Sequence, residues 1–159
     1  ARGEWEAADT LIADTLAQLT EDDIELLIWQ AVVAEELGRA EESEEALAKA
    51  KALAANNLAG FWSTVGNVYL TAGKLDQALA AADEATAIDP DEAQAYFVRA
   101  SVAEFRGEVP VALENFEKAF DLAADSNPQL AVIARVRMGM LLQSAPPVSP
   151  ITTTAPAGP

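Results

Sequence analysis

The sequence predicts an all-α protein built as a linear array of helical hairpins. A glycine recurs about every 34 residues, and a fixed period of this length is typical of stacked structural repeats. Between the glycines, apolar residues recur three and four positions apart, as they do on one face of a helix. Small residues recur with the same long period. We expect about eight helices, forming three full hairpins with half a hairpin at each end.

The small residues form three ladders in register with the glycines, which are Gly3, Gly38, Gly73 and Gly107. Helix axes approach closely only where side chains are small, so we expect these positions to mark helix crossings. The ladders are Ala8, Ser43, Ala78 and Ala112; Thr15, Ala50, Ala85 and Ala119; and Ala31, Gly66, Ala100 and Ala134.

The most specific pattern lies in residues 61–90, which read FWSTVGNVYLTAGKLDQALAAADEATAIDP. Its order and spacing resemble the tetratricopeptide repeat, whose pattern begins W-x₂-L-G-x₂-Y and ends at a proline. Val65 replaces the usual leucine and Ala82 the usual aromatic residue. The resemblance implies a right-handed superhelix that serves protein–protein interaction. The residues that carry it are Trp62, Val65, Gly66, Tyr69, Gly73, Ala78, Ala85 and Pro90.

The predicted array covers residues 1–143. It comprises a half repeat at 1–20, repeats at 22–57, 58–91 and 92–126, and a terminal helix at 127–143. The third repeat keeps the pattern at Ala100, Gly107, Ala112, Phe116 and Ala119. The change to proline and threonine at residues 144–159 predicts an extended tail.

Three short patterns predict where helices begin. Thr20 to Asp23 reads T-x-x-D, which is a capping signal for the first full hairpin. In the run Asp89-Pro90-Asp91-Glu92, we expect Asp89 to cap the next helix, with Pro90 in its first turn. Asn127-Pro128 predicts the start of the last helix.

The composition disfavours several functional classes. The chain has no cysteine and no histidine, which removes thiolate metal sites and serine or cysteine triads that need a histidine base. A net charge of −16 disfavours nucleic acid and anionic membranes as partners. No apolar run reaches the ~18 residues of a membrane span. We expect no enzyme activity, cofactor or metal; the acid indicates solubility or, alternatively, a basic partner.

The resemblance implies a concave groove, lined by the first helix of each hairpin, that binds an extended peptide. Only Asn67 fits the Lys/Asn/Arg clamp that some family members use for a terminal carboxylate. We therefore expect an uncharged or apolar peptide, although Phe97 and Phe105 are alternatively buried between repeats. The groove candidates are Ile28, Val32, Ser63, Asn67, Phe97, Ser101 and Phe105.

The two ends of the array predict self-assembly. The chain begins with a second-type helix and ends with a first-type helix, so each supplies what the other lacks. The first helix carries acids and the last carries only Arg135 and Arg137, so the ends are also complementary in charge. We expect head-to-tail filaments or rings; a fragment of a longer array is the alternative. The candidate apolar residues are Trp5, Ile12, Leu130, Ile133, Val136 and Met140.

The tail predicts a further contact. Val148, Pro150 and Ile151 are expected to anchor it in an apolar groove of the same chain or of a neighbouring one. Pro147 to Pro150 reads PxxP, and the threonines beside prolines resemble a glycosylated stalk. The tail, the start at Ala1 and the lack of cysteine favour an extracytoplasmic or extracellular location.

Overall fold

Eight α-helices and no strand occur in residues 2–144, the part of the chain that the computed structural model describes. This confirms the all-α prediction. The tail, with its proposed anchors Val148, Pro150 and Ile151, lies outside the described residues. The helices are α1 Arg2–Gln18, α2 Ile24–Glu36, α3 Ala40–Leu53, α4 Leu58–Thr71, α5 Leu75–Ile88, α6 Ala93–Phe105, α7 Val109–Ala123 and α8 Pro128–Ser144.

The helices pack as three hairpins, α2–α3, α4–α5 and α6–α7. The helix α1 packs on α2, and α8 packs on α7, so a lone helix stands at each end of the described array. We call α2, α4, α6 and α8 the first helices, and α1, α3, α5 and α7 the second helices. The predicted arrangement of three hairpins between two half hairpins is confirmed.

Each hairpin turn depends on a glycine in the left-handed backbone region. Gly38, Gly73 and Gly107 have φ angles of 77°, 76° and 73°. In the first turn, the amide of Gly38 donates to the carbonyl of Glu35 at 3.0 Å, and the next amide donates to Ala34 at 2.8 Å. The same pair of bonds recurs at the other two turns. A side chain at the glycine positions would be strained, so glycine sets the period of the array.

Two of the three predicted helix starts are corrected. Asp23, rather than Thr20, caps α2, because its carboxylate accepts from the amide of Leu26 at 2.8 Å. Glu92, rather than Asp89, is the N-cap of α6, and Pro90 lies before the helix. Asp89 instead accepts from the amide of Asp91 at 2.9 Å.

Other helix starts and turns follow the expected chemistry. Asn127 caps α8 by accepting from the amide of Leu130 at 3.2 Å, as predicted. The carbonyl of Pro90 accepts a hydrogen bond from the Tyr96 hydroxyl at 3.0 Å, which ties the turn before α6 to that helix. Short side-chain bonds therefore define where the first helices begin.

The small-residue ladders mark the closest helix crossings. Ala78, Ala85, Ala100, Ala112 and Ala119 are all fully buried. At Gly66 on α4, an added Cβ would lie 3.2 Å from the carbonyl oxygen of Ala78 and 3.3 Å from Cγ1 of Val98. The first contact is within its own hairpin and the second is with the next one. Gly66 is therefore where three helices come together.

The junctions between hairpins are not equally tight. The helix α5 packs broadly on α6, and α7 on α8, whereas α3 contacts α4 only sparsely. The first helices α2 and α4 hold this junction together through one apolar cluster: Leu27, Ile28 and Val32 with Phe61, Val65 and Val68. We call the loose contact between α3 and α4 the α3–α4 seam.

We predict that Gly66→Leu destabilises the protein by more than about 2 kcal/mol, because the side chain overpacks a closed crossing. Ala78→Leu should do the same from the other side of this contact. Gly139→Leu is the matched control, since nothing lies within 4 Å of a Cβ at Gly139. It should be neutral or stabilise α8 by up to about 1 kcal/mol. Chemical denaturation measures both, and equal losses for Gly66→Leu and Gly139→Leu would contradict the assigned crossing.

Candidate protein-interaction surfaces

The first helices line the inner face of the array. The helix α2 packs directly on α4, and α4 on α6, whereas no comparable packing joins α3 to α5 or α5 to α7 within the described residues. Because neighbouring first helices lie closer together than neighbouring second helices, the stack curves with the first helices inside. Their surface is the concave face.

A cavity of about 530 Å³ opens where α2, α4 and α6 begin. We call it the concave cavity. Its apolar wall includes Ile24 on α2, Leu53 on α3 and Phe61 on α4, while its polar groups are amides, hydroxyls and one carboxylate, on Asn56, Asn57, Ser63, Thr64, Gln94 and Glu92. No lysine or arginine lines it. This chemistry suits an uncharged extended segment better than a free carboxylate.

Ser63 is the unusual polar group of the concave cavity. The residue is only 2 % exposed, and its Oγ has no hydrogen-bond partner within the described residues. Ser101 on α6 is also 2 % exposed, but its hydroxyl donates to the carbonyl of Phe97 at 2.9 Å. A buried hydroxyl without a partner is costly. Ser63 is thus a group that a ligand could satisfy.

The seven groove candidates separate into three groups. Ile28, Val32, Ser63 and Ser101 are buried in the packing between helices, so the expectation that they form an open groove surface is wrong, although Ser63 borders the concave cavity. Asn67 and Phe97 are partly buried, and the Phe97 ring packs edge-on against Phe116 at 5.4 Å. Phe105 is 66 % exposed at the end of α6. The candidates do not converge on one site.

The last described helix exposes an apolar face. Leu130, Ala131, Ala134 and Leu141 of α8 point into the array and are buried. On the outward side, Val132 is 62 % exposed, Ile133 and Val136 are 49 % exposed, and Met140 is 59 % exposed. We call these four residues, with Leu142, the α8 face. Leu130 was predicted to lie at the end surface, and its burial corrects that prediction.

The charges at the two ends are largely satisfied within the chain. Arg137 lies 2.7 Å from Glu104 on α6, and the Arg135 guanidinium stacks 4.3 Å from the centroid of the Phe120 ring. On α1, Asp9 pairs with Arg39 at 2.7 Å. The predicted charge complementarity therefore rests mainly on the net negative charge of α1 and the net positive charge of α8. Ile12 is buried and Trp5 is partly buried, whereas Leu11 is the exposed apolar residue of α1.

A set of ion pairs that sequence reasoning missed connects each hairpin to the preceding unit. The residue after the turn glycine reaches back in two units: Arg39 to Asp9, and Lys74 to Glu36 at 2.7 Å and Glu35 at 3.3 Å. In the third unit, Arg106 beside the turn pairs with Asp76 on α5. A basic residue next to each turn glycine, in Gly38-Arg39, Gly73-Lys74 and Arg106-Gly107, was the available signal.

Two titrating groups sit at the junction of the first two hairpins. Partial burial lowers the pKa of Lys74, but its hydrogen bond to Glu36 and the charges of Glu35 and Glu36 outweigh this effect and raise it. Burial, helped by the negative charge of Glu35, raises the pKa of the Tyr69 hydroxyl. In both cases the folded protein holds its proton more firmly than the unfolded chain.

The surfaces and their framework define an α-solenoid that presents a concave cavity and an exposed terminal helix. Residues 59–92 match the family model described as tetratricopeptide repeat. Residues 59–92 therefore form a tetratricopeptide repeat, as the sequence pattern indicated. A repeat fold of this kind implies a scaffold for protein–protein interaction.

Solved structures share this fold. PcrH from Pseudomonas aeruginosa is 21% identical, with a TM-score of 0.55, over 78% of this chain and 95% of that one. The TPR domain of Arabidopsis OM64 is 18% identical, with a TM-score of 0.52, over 77% of this chain and 96% of that one. At such identities these likenesses show the fold alone. No curated protein matches the sequence significantly.

Two further properties concern residues 2–144 only. None of the helices in this range combines the length and apolarity needed to cross a membrane. The same range holds no cluster of three or more acidic side chains placed to bind a metal ion.

We predict that Lys74 contributes to the alkaline limit of stability. Its folded pKa lies above the unfolded value of 10.5, so its stabilising effect is complete below that pH and is lost as the pH rises through the folded pKa. Lys74→Arg stays charged and should lose less stability between about pH 10 and pH 12. Urea unfolding across this range measures the difference. Lys49→Arg, at a more exposed ion pair, should follow the wild type; identical profiles for all three proteins would exclude this role for Lys74.

Proposed function

We propose that the protein is a non-enzymatic scaffold that assembles head to tail, with the α8 face of one copy packed against α1 of the next. The observation that carries this proposal is the exposed apolar row on α8. A helix that is apolar on all sides is normally buried. The inward side of α8 packs on α7, whereas Val132, Ile133, Val136 and Met140 on its outward side face solvent.

A second copy supplies the right kind of neighbour for α8. Each of the remaining first helices packs against the second helix that follows it in the chain: α2 on α3, α4 on α5, and α6 on α7. The helix α8 is a first helix and α1 is a second helix. If α1 of another copy packs on the α8 face, the contact continues the pattern that already joins the hairpins.

The residues at the two ends support this pairing. Leu11 on α1 is 68 % exposed and is available to the α8 face. The helix α1 also carries the acids Glu4, Glu6 and Asp14, whereas α8 carries no acid. Such a head-to-tail contact forms a ring if its rotation closes and a filament if it does not. An array that keeps its own twist across the junction favours the filament.

We predict that Ile133→Glu and Val136→Glu abolish assembly without unfolding the subunit. Both side chains are about half exposed, so the subunit should lose less than about 1 kcal/mol, whereas the interface would bury an unpaired charge. Light scattering over a concentration series measures assembly, and electron microscopy shows whether rods or rings form.

The control is Ala87→Glu, which adds the same charge to an exposed position of α5, away from both ends of the array. It should assemble like the wild type. Wild-type protein that stays monomeric at high concentration would refute the proposal. Assembly that survives both glutamate variants would place the contact elsewhere on the chain.

A second function is favoured by one separate observation, the unpaired hydroxyl of Ser63. In this function, the concave cavity binds an uncharged extended peptide whose main chain hydrogen-bonds to Ser63 and to the neighbouring side-chain amides. Extended peptides expose backbone donors and acceptors at regular intervals, which suits a cavity lined by such groups. Self-assembly and peptide binding use different faces and are compatible.

We predict opposite effects for two serine-to-alanine changes. Ser63→Ala removes an unsatisfied buried hydroxyl and should stabilise the free protein by up to about 1 kcal/mol. Ser101→Ala loses a hydrogen bond and should destabilise it by about 1 kcal/mol. If Ser63 serves a ligand, Ser63→Ala should also weaken binding to an array of short uncharged peptides. Destabilisation by Ser63→Ala would mean that its hydroxyl is satisfied in the folded chain.

A further inference from the structure

A second apolar groove lies on another face of α4, at the α3–α4 seam. It has a volume of about 260 Å³ and is formed by Leu47 on α3, Trp62 and Tyr69 on α4, and Ala80 and Ala81 on α5. We call it the aromatic groove. Neither the α8 contact nor the concave cavity uses it. It exists because α3 contacts α4 only sparsely, which leaves Trp62 and Tyr69 partly exposed between the second helices.

The chemistry of the aromatic groove is apolar with a polar edge. Gln77 and Glu84 of α5 lie among its lining residues. The ammonium group of Lys51 sits 5.3 Å from the centroid of the Trp62 ring, so this cation is already engaged. An aromatic groove of this kind suits an extended, uncharged segment rich in proline, because a polyproline II segment is preformed and loses little entropy on binding.

We propose that the aromatic groove binds the segment Pro147–Ile151 of a neighbouring copy of this chain. The segment reads PVSPI, in which the apolar residues Val148 and Ile151 each follow a proline. Residues 145–159 contain no charged side chain, whereas the whole chain has a net charge of −16. This segment therefore approaches the acidic surface of another copy without electrostatic repulsion.

The reach of the segment decides which copy supplies it. The helix α8 ends at Ser144 and packs on α7, and the α6–α7 hairpin separates it from α4 and α5. Packed helices lie about 8–10 Å apart, and three packed contacts, α8 on α7, α7 on α6 and α6 on α5, lie between α8 and the groove. The chain from Ser144 to Pro147 spans at most about 11 Å. The groove is thus out of reach of the same copy's segment, and a separate copy has to supply it.

The test uses a fluorescent synthetic peptide of residues 144–159 and measures its anisotropy as full-length chain is added. The chain carries Val148→Asp and Ile151→Asp, so that its own segment does not compete, and Val136→Glu, so that the α8 contact is also absent. Binding in this background makes failure of this proposal distinguishable from failure of head-to-tail assembly.

The matched groove variants are Ala80→Glu and Ala87→Glu, both at exposed positions of α5. Each places a glutamate four residues from another acid, Glu84 or Asp83, but only Ala80 lines the aromatic groove. Ala80→Glu should weaken peptide binding at least about tenfold because it puts a charge into an apolar site, and Ala87→Glu should change it less than about twofold. Circular dichroism checks that both variants fold.

Three results would overturn the proposal. Equal binding to the Ala80→Glu and Ala87→Glu chains would place the peptide outside the aromatic groove. The absence of any saturable binding would exclude the segment as its occupant. A chain with its native segment that excludes the peptide even at high dilution would show that each copy fills its own groove. The expected result is that the native chain binds the labelled peptide at dilution and loses this binding as its own concentration rises.

Discussion

The structure depends on the close crossing of helices at residues without bulk. Gly66 has no side chain. The space that a side chain would need there is occupied by the backbone of Ala78 and the side chain of Val98. This contact joins two helices of one hairpin to the next hairpin, so it sets both the hairpin angle and the stacking distance. Buried alanines repeat the arrangement in the third unit. The curvature, the concave cavity and the exposed ends all follow from this repeated close approach.

A second constraint is the shortage of positive charge. The nine lysines and arginines between residues 3 and 144 each contact an acid or an aromatic ring of the same chain. Several of these contacts link one unit to the one before it. The cations therefore serve the array's internal junctions, and the outer surface remains acidic. If acidic copies associate as proposed, apolar contacts such as the α8 face have to outweigh their electrostatic repulsion.

The repeat pattern was sufficient to predict the fold, because glycine turns and small crossing residues are dictated by sterics and leave a fixed period. It was harder to predict which residues are exposed and which are buried. Ile28, Val32 and Ser101 follow the family's groove positions but are covered, since the tilt between neighbouring hairpins decides whether a face is open. Glu92 replaced Asp89 as a cap because Asp89 formed a local turn instead. Long side chains such as Arg137 have many rotamers, and their partners emerge only from the packed structure.

The α3–α4 seam has a mechanical consequence. In a linear array, each unit is stabilised only by its immediate neighbours, so the weakest junction separates two cooperative blocks. Here those blocks are α1–α3 and α4–α8, held together chiefly by α2 on α4 and by the Lys74 ion pairs. Under tension along the array the first block should yield as a unit while the second keeps its structure. A polymer of such subunits would then contain one compliant joint per copy, and its stiffness would be set by that joint rather than by the number of hairpins.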